Sequence, residues 1–223
     1  MADRLFYFLG GLWLTLALLL CSLALGLAFG LLLATARLAR YRLLRLAATA
    51  YIELLRGVPL LVTLLIAGFA LPGLLVQFRV VPKFAWAVLA FGLCYAAYLA
   101  EVFRAGIESV DDGQREAARA LGLNGRQTLW HVVLPQAVRN VLPSLVNQAV
   151  ALLKDTSLAA VIGLEEMTQR ARLEVAATFD TLSVYLLLAL IYLILTLSLS
   201  QLARMLERRQ SRARADHSGP RTA

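Results

Sequence analysis

GQREAARALGLNGRQTLWHVVLP, residues 113–135, is a polar island in a chain otherwise too apolar for water. Residues 116–121 are good helix formers. Gly122 can take the left-handed conformation that ends a helix, and Asn124-Gly125 is a strong turn signal. A second short helix is predicted from about Gln127 towards Leu134, with Pro135 opposing its continuation. Two short helices with a break between them make an amphipathic projection, a shape that fits a groove on another protein. A loop helix joining two spans is the plainer reading of the same residues.

Outward from this island the chain sorts into membrane spans. Its 223 residues are 60% hydrophobic and 16% charged, with mean hydropathy +0.72. A soluble domain is about 45–50% apolar and about 25% charged. Uncharged runs cover residues 5–36, 57–78, 84–100 and 181–203. A fifth apolar stretch, 140–164, is interrupted only by Lys154 and Asp155. Each is near the roughly 20 residues that cross the hydrocarbon core. The expected fold is therefore all-α: a polytopic membrane protein with five transmembrane helices at about 9–34, 57–77, 84–104, 142–164 and 182–206. These form one domain, 1–208, with the polar loop at 111–135 and a disordered Arg- and Ser-rich tail at 209–223.

A net charge of +8 could suggest nucleic acid, but its distribution records topology instead. With the N-terminus outside, sixteen of the 22 Lys and Arg fall on inner segments, in clusters at 37–56, 104–139 and 204–221. The outer segments hold Arg4, Arg79, Lys83, Arg170 and Arg172. This is the positive-inside bias, and an odd number of spans leaves the C-terminus inside. Ala34-Thr35-Ala36 mimics a signal-peptide cleavage site, but the uncharged run before it far exceeds an h-region of about 7–15 residues, so an uncleaved first span is expected. Cys21 and Cys94 lie in apolar spans, and His131 and His217 are too far apart for metal spacing.

Within the spans, Gly26 and Gly30 form a small-xxx-small pattern that permits close helix approach, within the subunit or against a second copy. Residues 38–55 alternate leucine with Arg40, Arg42, Arg45 and Glu53, the pattern of an amphipathic helix on the inner surface. Pro59 is expected in the first turn of the second span, and Leu71-Pro72-Gly73 to break that span near its outer end. The outer turn at 78–83 is short, so the second and third spans form a hairpin.

A P-loop needs Gly-Lys-Ser/Thr to cradle phosphates. The chain's two lysines, Lys83 and Lys154, follow Pro82 and Leu153, so it has no Walker A and no ATP cofactor of its own by that route. Charges at membrane depth are costly and functional by default, which singles out Lys154 and Asp155. Ser144, Asn147, Ala151, Lys154 and Leu158 recur at three- or four-residue steps, a polar stripe on the fourth span. An ammonium there could meet a substrate carboxylate, with Asn147, Thr156 or Ser157 orienting it. The competing reading makes Lys154 a structural partner of Glu101 or Asp155. Glu101 and Arg104, three residues apart, read as a local ion pair; Asp111-Asp112 reads as a helix cap. Glu165 and Glu166 at the outer end read either as a docking point or as a solvated interface.

Several of these stretches resemble one family. Glu-Ala-Ala at 116–118, Gly122 and Val-x-Leu-Pro at 132–135 are similar to the cytoplasmic coupling loop of ABC-importer permeases. YIELLRGVPL at 51–60, AAYLAEVFR at 96–104, LPQAVR at 134–139 and KDTSL at 154–158 resemble the permeases of polar amino-acid importers. Val132 stands where Ile is usual, and Arg115 where an aromatic is frequent. The resemblance implies that Glu116, Ala117, Ala118, Leu121, Gly122, Leu134 and Pro135 receive force from ABC ATPase subunits, which bind the ATP. It implies a second permease subunit (homodimer or heterodimer), an external substrate-binding protein, and a place in the bacterial inner membrane. Asn147, Lys154, Asp155, Thr156, Ser157 and Glu101 are the candidate substrate pathway. The chain is then no enzyme and has no nucleic-acid partner. The rival expectation is an ion-gradient-driven secondary transporter of carboxylate-bearing solutes, with Lys154, Asp155 and Glu101 as a relay. Against it, the sequence has no internal repeat and no pair of broken helices.

Overall fold

The computed structural model describes residues 2–74 and 80–217, and every regular element among them is a helix. In chain order these are α1 (Ala2–Arg37), α2 (Arg42–Gly57), α3 (Leu60–Leu65), α4 (Leu71–Leu74), α5 (Lys83–Glu108), α6 (Asp112–Ala120), α7 (Gly125–Thr128), α8 (Leu134–Asp155), α9 (Met167–Thr178) and α10 (Thr181–His217). Four stretches are long and apolar enough to cross a membrane: Leu9–Arg37, Lys83–Glu108, Gly125–Ile162 and Thr181–Leu202. A fifth is the bent pair Arg42–Gly57 and Leu60–Leu74, whose halves meet at 99°. The bend lies at Val58 and Pro59, both extended. Pro59 caps α3 from outside and does not sit within its first turn.

In lipid, helices associate through close packing, because the surrounding tails are as apolar as leucine. The chain meets that demand with small residues on α5. A Cβ on Gly30 would lie 2.9 Å from Leu99 Cβ and 3.0 Å from the Ala96 carbonyl oxygen; one on Gly92 would lie 2.6 Å from Leu25. The Gly26–Gly30 pattern thus packs α1 against α5 within the subunit. Phe91 and Leu99 of α5 join Leu18, Leu64, Leu152 and Ile162 in the main core. α5 is the most enclosed span and α10 the least.

Two prolines expected to interrupt helices do not. A π-turn, Ile66–Ala70, precedes Leu71-Pro72, and another, Leu129–Val133, precedes Leu134-Pro135. In each the following leucine amide donates five residues back, to Ile66 or Leu129. A proline lacks an amide hydrogen and collides with the carbonyl four residues earlier. The widened turn moves that carbonyl away, and the helix continues. The second span therefore runs on through Leu74, and the second loop helix runs directly into α8. The expected end of the second span at residue 77, and Phe78 and Arg79 of the outer turn, lie outside the described residues.

α10 extends to His217, into the tail expected from residue 209, a stretch in which Arg, Ala and Gln are good helix formers. Residues 218–223 lie outside the described set. Glu166, expected to dock a partner or to be solvated, is not exposed. It is fully buried, where it accepts hydrogen bonds from the Thr168 and Gln169 amides, both at 2.9 Å, and from the Tyr192 hydroxyl at 3.1 Å. It caps α9, and burial pushes its carboxyl above the usual carboxylate range. α9 in turn presses on α1: a Cβ on Gly11 would lie 2.9 Å from the Met167 amide, which donates to Thr15 Oγ1 at 3.3 Å.

Candidate functional site

The 111–135 loop is built from its caps. Asp111 accepts from the Gly113 amide at 2.7 Å and starts α6. Gly122, with φ +80°, ends it: the Gly122 amide donates to the Arg119 carbonyl at 2.9 Å and Leu123 to the Ala118 carbonyl at 3.1 Å. That left-handed closure is the Schellman arrangement that glycine permits. Asn124-Gly125 forms no free turn. Asn124 caps α7, exchanging bonds of 2.9 Å with Gln127.

The loop is tethered to the spans. Arg115 donates to the Ile107 carbonyl at 2.8 Å, so the residue standing where an aromatic is frequent acts as an anchor to α5. Ala118 turns inward and is buried. Glu116, Ala117, Leu121 and Gly122 face away and are exposed, Leu121 at 83%. Leu134 is half-buried and Pro135 exposed at the start of α8. The loop thus presents an apolar leucine beside a carboxylate on a firmly held, projecting helix end.

The intramembrane residues divide into two places. On one side, a cleft of 570 Å³ opens between the inner ends of α5 and α8, lined by Tyr98, Glu101, Asn140, Ser144 and Gln148, with Arg56 at the α2–α3 bend. Asn140, Ser144 and Gln148 recur every four residues, and Asp155 seven later falls on the same face, within about 80° around the helix. Asp155 accepts from the Tyr95 hydroxyl at 2.7 Å. The Tyr95 ring lies 5.8 Å from that of Tyr98, over which the Arg56 guanidinium sits at 5.8 Å. A ladder of polar and aromatic groups therefore joins the α2–α3 bend to the far end of α8.

On the other side, Lys154 and Ser157 line a separate hollow of 360 Å³ against α10, with Thr168, Tyr185 and Tyr192. Lys154 lines this hollow, whereas its sequence neighbour Asp155 is turned towards Tyr95 and lines neither space. Among the described residues Lys154 forms no ion pair, so neither expected structural partner holds it. Asp155 is engaged by Tyr95. Glu101 is bound by Arg37 of α1 and by Arg104 at 2.8 Å, and Arg104 also reaches Glu108 at 2.5 Å. The expected Glu101–Arg104 pair is present, enlarged by Arg37.

Two expected pathway residues sit elsewhere. Thr156 is fully buried with its hydroxyl donating to the Leu153 carbonyl at 2.7 Å, so it orients nothing in the cleft. Asn147 is exposed and lines neither space. Sequence reading missed Tyr95, Tyr98, Arg56 and Gln148. The four-residue recurrence of Asn140, Ser144 and Gln148 was a usable signal for the face; the tyrosines of α5 become visible only once that face is paired with α5.

Known proteins share this architecture. Residues 26–212 match the family described as binding-protein-dependent transport system inner membrane component. The chain is 41% identical over 186 residues to the probable amino-acid ABC transporter permease protein YckA of Bacillus subtilis (strain 168), covering 83% of this chain and 81% of that one. It is 37% identical over 203 residues to the arginine transport system permease protein ArtQ of the same organism, covering 91% and 92%. A solved structure described as an amino acid ABC transporter with histidines superposes with TM-score 0.88 at 37% identity, over 94% of this chain and 96% of that one. The relatives are transport proteins. The chain therefore belongs to the binding-protein-dependent transport system inner membrane component family, as a multi-pass membrane permease and not an enzyme.

Proposed function

We propose that the chain is one permease subunit of an ABC importer that moves polar amino acids across the cytoplasmic membrane by alternating access. The observation that carries this is the projecting end of α6, where Glu116, Ala117, Leu121 and Gly122 are exposed on a loop tied to both α5 and α8. ABC ATPase subunits grip that end and bind the ATP that this chain, without a P-loop, does not. Leu134 and Pro135 carry the movement into α8. A second permease subunit completes the pathway, and an external binding protein delivers substrate. The N-terminus is outside and the C-terminus cytoplasmic, in keeping with the basic inner segments.

Substrate passes along the α5–α8 cleft. Asp155, supported by Tyr95, meets the substrate ammonium, and Ser144 and Gln148 line the route inward; Glu101 and its arginines border the exit. Lys154 and Ser157 serve the neighbouring hollow, where a carboxylate would be the matching ligand. The amino-acid class is that of the relatives' names. Reconstitution tests the whole: uptake into vesicles should require the partner ATPase and ATP and ignore an imposed proton gradient. Gradient-driven uptake by this chain alone would reject the proposal.

A further inference from the structure

α1, α2 and α5 border a second cleft of 340 Å³, which shares Arg104 with the proposed pathway and opens away from it. Arg37, Arg45 and Arg104 line it, with Leu38, Leu46 and Glu108. Their charges are unequally matched. Glu101 lies between Arg37 and Arg104, and Glu108 binds Arg104. Arg45, exposed on the second turn of α2, makes no ion pair among the described residues, and neither do Arg40 and Arg42 beside it. The cleft thus carries an excess of positive charge that no ion pair among the described residues neutralises.

Its rim is apolar and faces outward. Leu38 is 53% exposed, Leu46 54% and Leu43 81%. α2 meets the following span at 99°, so it lies along the bilayer surface when α3 crosses. A free anion would need only the guanidiniums. A protein partner would have no reason to find leucines at the level where α1 and α5 leave the hydrocarbon. A phosphate group carrying acyl chains satisfies both halves of the site.

We propose that this cleft binds the anionic headgroup of a phospholipid, with Arg45 as its open contact and Leu38 and Leu46 against the acyl chains. The orientation argued above makes it a lipid of the inner leaflet, but binding itself does not depend on transport. α2 then holds the α2–α3 bend, and with it Arg56, at a depth set by lipid charge.

Native mass spectrometry of the full chain in detergent tests this, titrating phosphatidylglycerol and, separately, phosphatidylcholine with the same acyl chains. The first phosphatidylglycerol should bind about five-fold more tightly, as one basic residue near a surface provides. Arg45→Gln should bring the two lipids within about two-fold; Arg45→Lys should keep most of the preference, which separates charge from misfolding. Undiminished preference in Arg45→Gln would overturn the proposal. So would full displacement by equimolar inorganic phosphate, which would mark a free-anion site. Loss of co-purifying ATPase in Arg45→Gln with lipid preference unchanged would assign the surface to the ATPase and overturn it equally.

Discussion

Glu166 at the outer end and Glu101 at the inner end are both carboxylates set into an apolar bundle, and they are neutralised by different means. Glu166 meets only fixed dipoles: two amides of its own helix and a tyrosine hydroxyl of α10. Glu101 meets two full charges, one from α1 and one from α5 itself. Opening the outer contact would strand buried amides and a buried carboxylate together, each at the cost of a lost hydrogen bond. Opening the inner one breaks part-buried ion pairs, but Glu101 has two arginines and can keep one when it loses the other. Glu166 is held by one hydrogen-bond network, whereas Glu101 is shared between alternative cationic partners.

The largest effect should come from Glu166→Ala. It removes an N-cap worth about 1 kcal/mol and a charge-assisted hydrogen bond worth about 1.5–3 kcal/mol. The melting temperature of the purified chain should drop clearly, while Arg37→Gln should lower it little; equal losses would erase the contrast between the ends. Next, Asp155→Asn should cut uptake about 10- to 100-fold, the worth of one charged hydrogen bond of about 1.5–3 kcal/mol, with membrane insertion intact. Tyr95→Phe should reproduce part of that loss. Unaltered uptake in Asp155→Asn would move the pathway to the Lys154 hollow.

A Cβ on Gly122 would meet nothing within 4 Å, so Gly122→Val is penalised only through its left-handed backbone, by about 1–2 kcal/mol. Substrate-stimulated ATP hydrolysis should fall while the isolated chain still inserts and folds, losing no more stability than that local penalty; unchanged stimulation would release α6 from its assigned role. The smallest effect is a slope. Burial raises the Glu166 carboxyl above its ordinary 4.5, so the folded state holds the proton more tightly than the unfolded state. That contribution is complete below 4.5 and is lost as pH rises through the raised value. Melting temperature should therefore climb on acidification towards 4.5, and Glu166→Gln should flatten the climb.

The spans, the inner loop and the Glu101–Arg104 pair were legible because each follows from charge gaps or short-range spacing. The placement of the polar residues within the spans was only half legible. Lys154 and Asp155 were both marked by their depth, but successive side chains on a helix diverge by about 100°, and only the positions of α5 and α10 decide what each one meets. Glu166 was misread for a related reason: its burial depends on α1 and α10, which are far away in sequence. The prolines were misread because local rules forbid a regular α-helix at Pro72 and Pro135 but say nothing of a wider turn.

Those two wide turns have a genetic consequence. Each holds one residue more than the α-helical repeat, immediately before a proline that blocks rewinding. Deleting Val132 would restore regular winding only by forcing Pro135 against the carbonyl of the preceding turn. It would also swivel α6 and α7 by about 100° around the α8 axis, carrying the exposed Leu121 to a different side of the bundle. Single-codon deletions at 129–133 should therefore be far less tolerated than conservative replacements at the same positions.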